Sequence, residues 1–369
     1  MKKLSIFSIL LLVALMLTNC KDPEDKLFGG GDGSNSEPYL ITSVADLKKM
    51  SDMINAGTAP YADAGMNYRL TADIALPTPK PGSVGNLTPI GTNAKKFRGN
   101  FDGNGKTISN LTIDNTSIKY IGLFGYVDGG NIQNLGLTGV SIKGGNATGG
   151  IAGRIVGGNI TNCYVTGTVY GGTSSGGIAG EFDGNISNCY TTCSVTSASS
   201  AIGGIAGEIP NFSPPTTLKK CYATGAIMGT FHCGGIIGFI SGNTTLVSGC
   251  IALNSSITQK GTSGTTFGRV VGYPPNTDPR LTDNAALETM KVLGSTVSST
   301  NGVGNNGKNI SKTNATTEST YRNAPYNWDF GSTDAAPWQW AFRSSAETYQ
   351  LPVFYWQTSA PVMPLHLKP

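Results

Sequence analysis

Apolar and polar residues alternate along this chain in short β-branched runs, each cut off by Gly, Asn or Ser. The runs show no 3.6-residue period, so the pattern predicts strands rather than helices. The pattern itself repeats. Gly149–Gly153 (GGIAG) returns at Gly176–Gly180, at Gly203–Gly207 and, as GGIIG, at Gly234–Gly238. Variants precede it at Gly122–Gly125 (GLFG) and follow it at Gly268–Gly272 (GRVVG). The closing glycines are 125, 153, 180, 207, 238 and 272, a unit of 27 to 34 residues. A second unit keeps step: Ile160-Thr161-Asn162-Cys163-Tyr164, Ile186-Ser187-Asn188-Cys189-Tyr190 and Leu218-Lys219-Lys220-Cys221-Tyr222.

Short strands at a fixed period predict a β-solenoid or a propeller. A propeller blade needs four strands in about 40 residues, so the unit is too short for one. The comb of leucines that marks leucine-rich repeats is absent. The predicted fold is all-β: a single-stranded, right-handed parallel β-helix with a short N-terminal capping helix and an aromatic-rich C-terminal cap. Ile, Cys or Leu, and Val should point inward and stack on their equivalents one rung away. Gly and Asn should serve corners that need positive φ. A Gly in the stacking column should let rungs approach closely.

A solenoid must close its open ends against further strand pairing. Ser43-Val44-Ala45-Asp46 forms a capping box, and Val44, Leu47, Ser51 and Ile54 keep helical spacing, so about 43–55 should be an amphipathic helix over the first rung. All four tryptophans, Trp328, Trp338, Trp340 and Trp356, fall near the C-terminus among other aromatic residues. They suit either a cap over the last rung or a platform that stacks on sugar rings. Leu351–Trp356 should be a terminal strand, and residues 301–317 a long loop leading to the cap.

Met1-Lys2-Lys3 and the apolar run Leu4–Leu17 read as a secretory signal, too short to span a membrane. The run closes on Leu17-Thr18-Asn19-Cys20, which resembles the lipobox of bacterial lipoproteins; that resemblance implies lipidation at Cys20. Lys21–Asp25 resembles the acidic export tag of surface lipoproteins in Bacteroidetes-type bacteria, which implies an outer-membrane, lipid-anchored, surface-exposed chain. The organisation expected is a signal at 1–19, a tether at 20–38, a helical cap at 39–62, repeats at 63–315 and the aromatic segment at 316–369.

Composition narrows the function. Of 369 residues, 51 are Gly, about twice the usual share, and charged residues are only 13%. There is no Gly-X-Y period, which excludes collagen. The formal charge of +4 falls to +2 once Lys2 and Lys3 leave with the signal, too little and too scattered for nucleic acid.

The residues also carry a family resemblance. Gly122-Leu123-Phe124-Gly125 matches the signature of the GLUG-repeat family. Tyr68–Leu76, Thr88–Gly91 and Phe97–Ile108 are similar to the opening turns of GLUG-type bacterial surface proteins. That resemblance covers about residues 39–290 and implies a pectate-lyase-like β-helix at the cell surface, often adhesin-like. Later copies depart from it, with Ile-Ala or Ile-Ile in place of Leu-any.

The chemistry on offer is sparse. Cys163, Cys189, Cys221 and Cys250 share one repeat position. Rungs about 4.8 Å apart would hold the sulfurs in a column, which cannot make a zinc tetrahedron. Buried free thiols are the expectation; Cys193 and Cys233 lie off the column. From Gly129 to Thr277 the only acids are Glu181, Asp183 and Glu208, and the chain has two His. Glu181 and Glu208 each follow the closing Gly of a repeat, as Arg154 and Phe239 do, so the two carboxylates should neighbour each other across adjacent rungs. That is the spacing of a retaining glycosidase pair, but the favoured reading is a solvated surface ladder in which Arg154 pairs with Glu181 and the two acids are not catalytic. Asp102-Gly103-Asn104-Gly105 fits a corner turn; its calcium-loop alternative lacks the acid such a loop needs. The resulting expectation is a non-catalytic, monomeric binding module for a glycan or host extracellular component, with no metal and no cofactor. A polysaccharide lyase or hydrolase and a structural rod stand as alternatives.

Overall fold

A computed structural model of the chain describes residues 27–210, 215–241, 245–261, 266–274, 280–297, 305–340 and 350–368. The signal segment, Cys20, Phe342 and Tyr349 lie outside the described residues.

The chain folds as a parallel β-solenoid of about seven turns, nearly all β. The register follows the sequence repeat. Tyr68, Phe101, Ile132, Ile160, Ile186, Leu218, Val247 and Leu281 are successive Cα partners, and all eight side chains are buried. Because strand side chains alternate between faces, every Ile of this column is flanked by outward neighbours. One outward neighbour is Asn at five rungs. Asn100, Asn131, Asn159 and Asn185 each donate a side-chain amide N–H to the Asn one rung earlier, at 3.0, 2.8, 2.6 and 2.8 Å, ending at Asn67.

The corners use positive φ as expected. Asn134, Asn162, Asn188, Lys220, Gly249 and Asp283 lie at φ 54°, 53°, 51°, 53°, 63° and 55°. One residue further on, Cys163, Cys189, Cys221 and Cys250 turn inward and are fully buried as free thiols, as are Cys193 and Cys233. Burial pushes the Cys193 and Cys233 thiols up to about 12, so these two behave as small apolar core groups. Asp102–Gly105 is a corner: the Asp102 carboxylate accepts from the Asn104 N–H at 2.9 Å, and Arg69 pairs with it at 3.2 Å.

The N-terminal helix is present as α1 (Val44–Ala56), with the Ser43 side chain accepting from the Asp46 N–H. Its Leu47, Met50, Ser51 and Ile54 are buried, and Ser51 and Asn55 bond the carbonyls of Thr88 and Pro89.

The C-terminal end differs from expectation. Within 301–317, Lys308–Ile310 is a strand that pairs with Ala285–Leu287, and it leads into two helical turns, α2 (Lys312–Ala315) and α3 (Glu318–Arg322). The described part of the aromatic segment does not sit over the last rung. It runs back along one flank. The indole N–H of Trp328 donates to the Gly249 carbonyl, that of Trp338 to the Asn188 side chain, and Trp356 lies against Gly105. Leu351–Trp356 contributes the strand Pro352–Phe354, but its partner is Trp338–Trp340, antiparallel, within the same segment. This C-terminal strap covers a column that the repeat itself supplies. Tyr164, Tyr190 and Tyr222 are successive partners, with ring centroids 5.0 and 4.8 Å apart. Against them lies a second file, Trp356–Phe354–Trp338–Trp328, spaced 5.1, 4.7 and 4.7 Å.

Candidate functional site

The strap decides the fate of the tryptophans. Trp338 and Trp328 are buried between the tyrosine column and their neighbours, and Trp340 and Trp356 are half-buried against the same layer. Rings packed on both sides have no face left for a sugar, so Trp328 and Trp338 serve the strap rather than a binding platform. Each ring buried this way contributes a few kcal/mol through area and stacking.

Glu181 and Glu208 are brought together. The six strands Phe124–Asp128, Ala152–Thr161, Ala179–Ser187, Ala206–Ile209, Ile237–Ile240 and Val271–Tyr273 pair in parallel. Their register makes Tyr126, Arg154, Glu181, Glu208, Phe239 and Tyr273 one outward column. Neighbours in it are about 4.8 Å apart at the backbone, so the column extends about 24 Å.

The closing Gly of each repeat positions this column. A Cβ on Gly153, Gly180 or Gly207 would stand 2.3 to 2.5 Å from backbone carbons of Tyr120, Ala147 or Ser174. Only Gly permits that approach. It lets a second column, Tyr120, Ala147, Ser174, Ala201 and His232, all at φ between 54° and 63°, lie alongside the first.

The two columns interact along their length. At the N-terminal end, Lys96 Nζ stands 4.7 Å from the Tyr126 ring centroid, and the Arg154 guanidinium lies 5.7 and 5.4 Å from those of Tyr120 and Tyr126. In the middle, Arg154 pairs with Glu181 at 2.8 Å. Burial, reinforced by Glu208, holds the Glu181 carboxyl above the usual range despite Arg154. The Ser174 hydroxyl donates to Glu208 at 2.5 Å. At the C-terminal end, His232 stacks on Phe239 with centroids 5.0 Å apart, and lies 4.9 Å from Tyr273 and 4.8 Å from Phe231. Phe231 and Tyr273 are 38% and 42% exposed, which leaves ring surface open to a ligand. Burial lowers the His232 pKa, so its ring stacks as neutral imidazole.

Phe231, His232 and Tyr273 escape a sequence search directed at Trp. The signal was available: Tyr126 and Tyr273 follow Gly125 and Gly272, as Arg154, Glu181, Glu208 and Phe239 follow the other closing glycines. Elsewhere, a polar cleft of about 280 Å³ runs beside the first rungs of the asparagine ladder, lined by Asn67, Arg69, Asn100, Asp102 and Gln133. Among the described residues no group of three or more His, Cys, Asp or Glu is arranged to hold a metal ion, and no helix is long and apolar enough to cross a membrane.

Comparison with known proteins agrees with the fold. Residues 144–170 match the family model described as the GLUG motif. Over 157 residues the chain is 38% identical to halomucin of Haloquadratum walsbyi, covering 41% of this chain and 2% of that protein. Over 140 residues it is 35% identical to a protein of Evansella cellulosilytica provisionally named as a Gly-rich membrane protein, covering 37% of this chain and 15% of that one. The chain thus spans a small fraction of the length of these relatives. Among solved structures, a Bacteroides ovatus protein provisionally assigned as an immunoglobulin A1 protease superposes with a TM-score of 0.67 at 22% identity, over 90% of this chain and 96% of that one. The family match lies in one repeat and the structural match covers most of the chain, so the comparisons support a GLUG motif in this chain and a β-helix fold.

Proposed function

We propose that this chain is a surface-anchored, non-catalytic module that binds an extended glycan or a host-surface component along the Tyr126–Tyr273 column. One observation carries the reading: Phe239 and Tyr273 continue in register from the Arg154–Glu181–Glu208 group, and His232 packs against both and against the exposed Phe231 ring. Rings flanking hydrogen-bonding charges on a rigid wall suit a polymer that contacts several rungs at once. Cell-surface placement draws support from the lipobox-like Leu17–Cys20 and from a relative named as a membrane protein. Lipidation at Cys20 and an outer-membrane position belong to the same proposal.

The test is a glycan array probed with the full chain and with a Phe239→Ala/Tyr273→Ala variant. The expected result is binding to a class of polysaccharide that the variant loses; binding unchanged in the variant, or no glycan bound, overturns the site. Labelling cells with palmitate should mark the wild type and not Cys20→Ser.

A further inference from the structure

We propose that the C-terminal half of the column selects a cationic group, a protonated amine or quaternary ammonium, held between the Glu208 carboxylate and the rings of Phe239 and Tyr273. The inference rests on the glycan reading for the polymer that carries the amine, but the pocket chemistry stands on its own.

The column contains an internal comparison. In its N-terminal half, aromatic rings and a carboxylate are already served by the chain's own cations: Lys96 lies over Tyr126, and Arg154 lies over Tyr120 and Tyr126 while pairing with Glu181. The C-terminal half repeats the pattern, and among the described residues it holds no cation. Glu208 is the register neighbour of Phe239, and Phe239 of Tyr273. Among the described residues Glu208 makes no ion pair. Its hydrogen bond comes from the neutral Ser174 hydroxyl, and no described Lys or Arg lies over Phe239 or Tyr273.

The balance of charge follows. Arg154 offsets Glu181, so the formal negative charge of Glu208 is left at the edge of the ring cluster. Aromatic faces are electron-rich and attract a cation within about 6 Å of the ring centroid. With strands about 4.8 Å apart, Phe239 is the next side chain to Glu208 along the column. Burial disfavours a charge on the His232 ring that stacks there. A hydroxyl-only sugar would gain stacking but leave Glu208 without a counter-charge. An amine satisfies both.

The experiment is calorimetric titration of the full chain with three probes: a deacetylated, amine-bearing glucosamine oligomer at mildly acidic pH, its N-acetylated counterpart of equal length, and choline. The expected result is at least about a tenfold preference for the amine-bearing oligomer, reduced by added salt. Glu208→Gln, which keeps the acceptor for Ser174, should abolish the preference. Phe239→Leu should weaken amine binding. Equal affinity for the two oligomers, or a preference that survives Glu208→Gln, overturns the inference while leaving the glycan reading standing. Choline binding that requires Glu208, with neither oligomer bound, supports the cation site and overturns the glycan reading. Binding of no probe overturns the inference for this site.

Discussion

The rings of Tyr190 and Tyr222 lie parallel, 2° apart in tilt with centroids 4.8 Å apart, and both are tied to the strap by their hydroxyls. Tyr222 donates to the Pro352 carbonyl at 2.7 Å, and Tyr190 exchanges hydrogen bonds with the Gln357 amide. One rung spacing therefore fixes the spacing of both aromatic files. Trp338→Ala removes the largest fully buried member of the outer file. It should cost about 3–5 kcal/mol of strap stability. Limited proteolysis should then cut first within the strap, while circular dichroism still reports an intact solenoid. Because the Glu208–Tyr273 column lies on other strands, ligand binding there should persist. Loss of binding together with the strap would contradict this separation.

The asparagine ladder predicts a different sensitivity. Asn159 donates to Asn131 at 2.6 Å and accepts from Asn185 at 2.8 Å. Asn159→Asp keeps the acceptor but sets a carboxylate oxygen against the Asn131 carbonyl oxygen. An unsatisfied, half-buried acceptor costs about 1–3 kcal/mol. A lowered urea midpoint that recovers at acid pH, as the new carboxyl regains a proton, is the expected signature. An Asp variant as stable as wild type at neutral pH would show that the ladder contributes little.

Gly207→Ala tests the close approach that sets the two columns side by side. Its Cβ would stand 2.3 Å from the Ser174 carbonyl carbon, and backbone cannot give way as a flexible side chain can. Overpacking of this kind costs about 1–3 kcal/mol. The adjacent Glu208 and Ser174 should shift, so a lower melting temperature should accompany weaker ligand binding. An alanine variant unchanged in both would remove the physical account given for the repeat's last Gly.

Alkaline pH should weaken the fold. Burial raises the Cys193 and Cys233 thiols to about 12, and the Tyr164 and Tyr326 phenols likewise to about 12. Below the unfolded thiol value near pH 9, both states keep the proton and the stabilisation is fully present. Above it, the unfolded chain ionises first, and stability falls as pH climbs towards 12. Urea midpoints measured from neutral to about pH 11 should decline, and Cys193→Ala/Cys233→Ala should flatten the slope. A rising or level profile in the wild type would contradict the assignment.

What the sequence revealed depended on whether neighbours were one rung away or many. The Cys163–Cys250 column, the Asn134–Asn188 corners and the Glu181–Glu208 adjacency each follow from a period of about 27 to 34 residues, and each was legible. The capping box at Ser43–Asp46 is local and equally readable. The strap was not legible, because nothing local tells Trp338 which flank to cover. One clue existed: Tyr164, Tyr190 and Tyr222 follow inward Cys residues and so must point outward. Three outward tyrosines in register need a cover. The ring cluster at Phe231, His232 and Tyr273 was missed because His232 reaches it from a positive-φ corner that the repeat does not spell out.

The strap also imposes an order on assembly. Rung contacts join residues about 30 positions apart, so the solenoid can build turn by turn as the chain emerges. The strap joins Asn134 to Asp334, 200 positions apart, and Tyr190 to Gln357, 167 apart. Until the strap arrives, a finished wall carries a bare file of tyrosines, an apolar stripe open to chaperones, proteases and sister chains. The strap residues thus act as a completion mark: a chain lacking them is distinguishable by its surface, although nearly all of its rungs are in place.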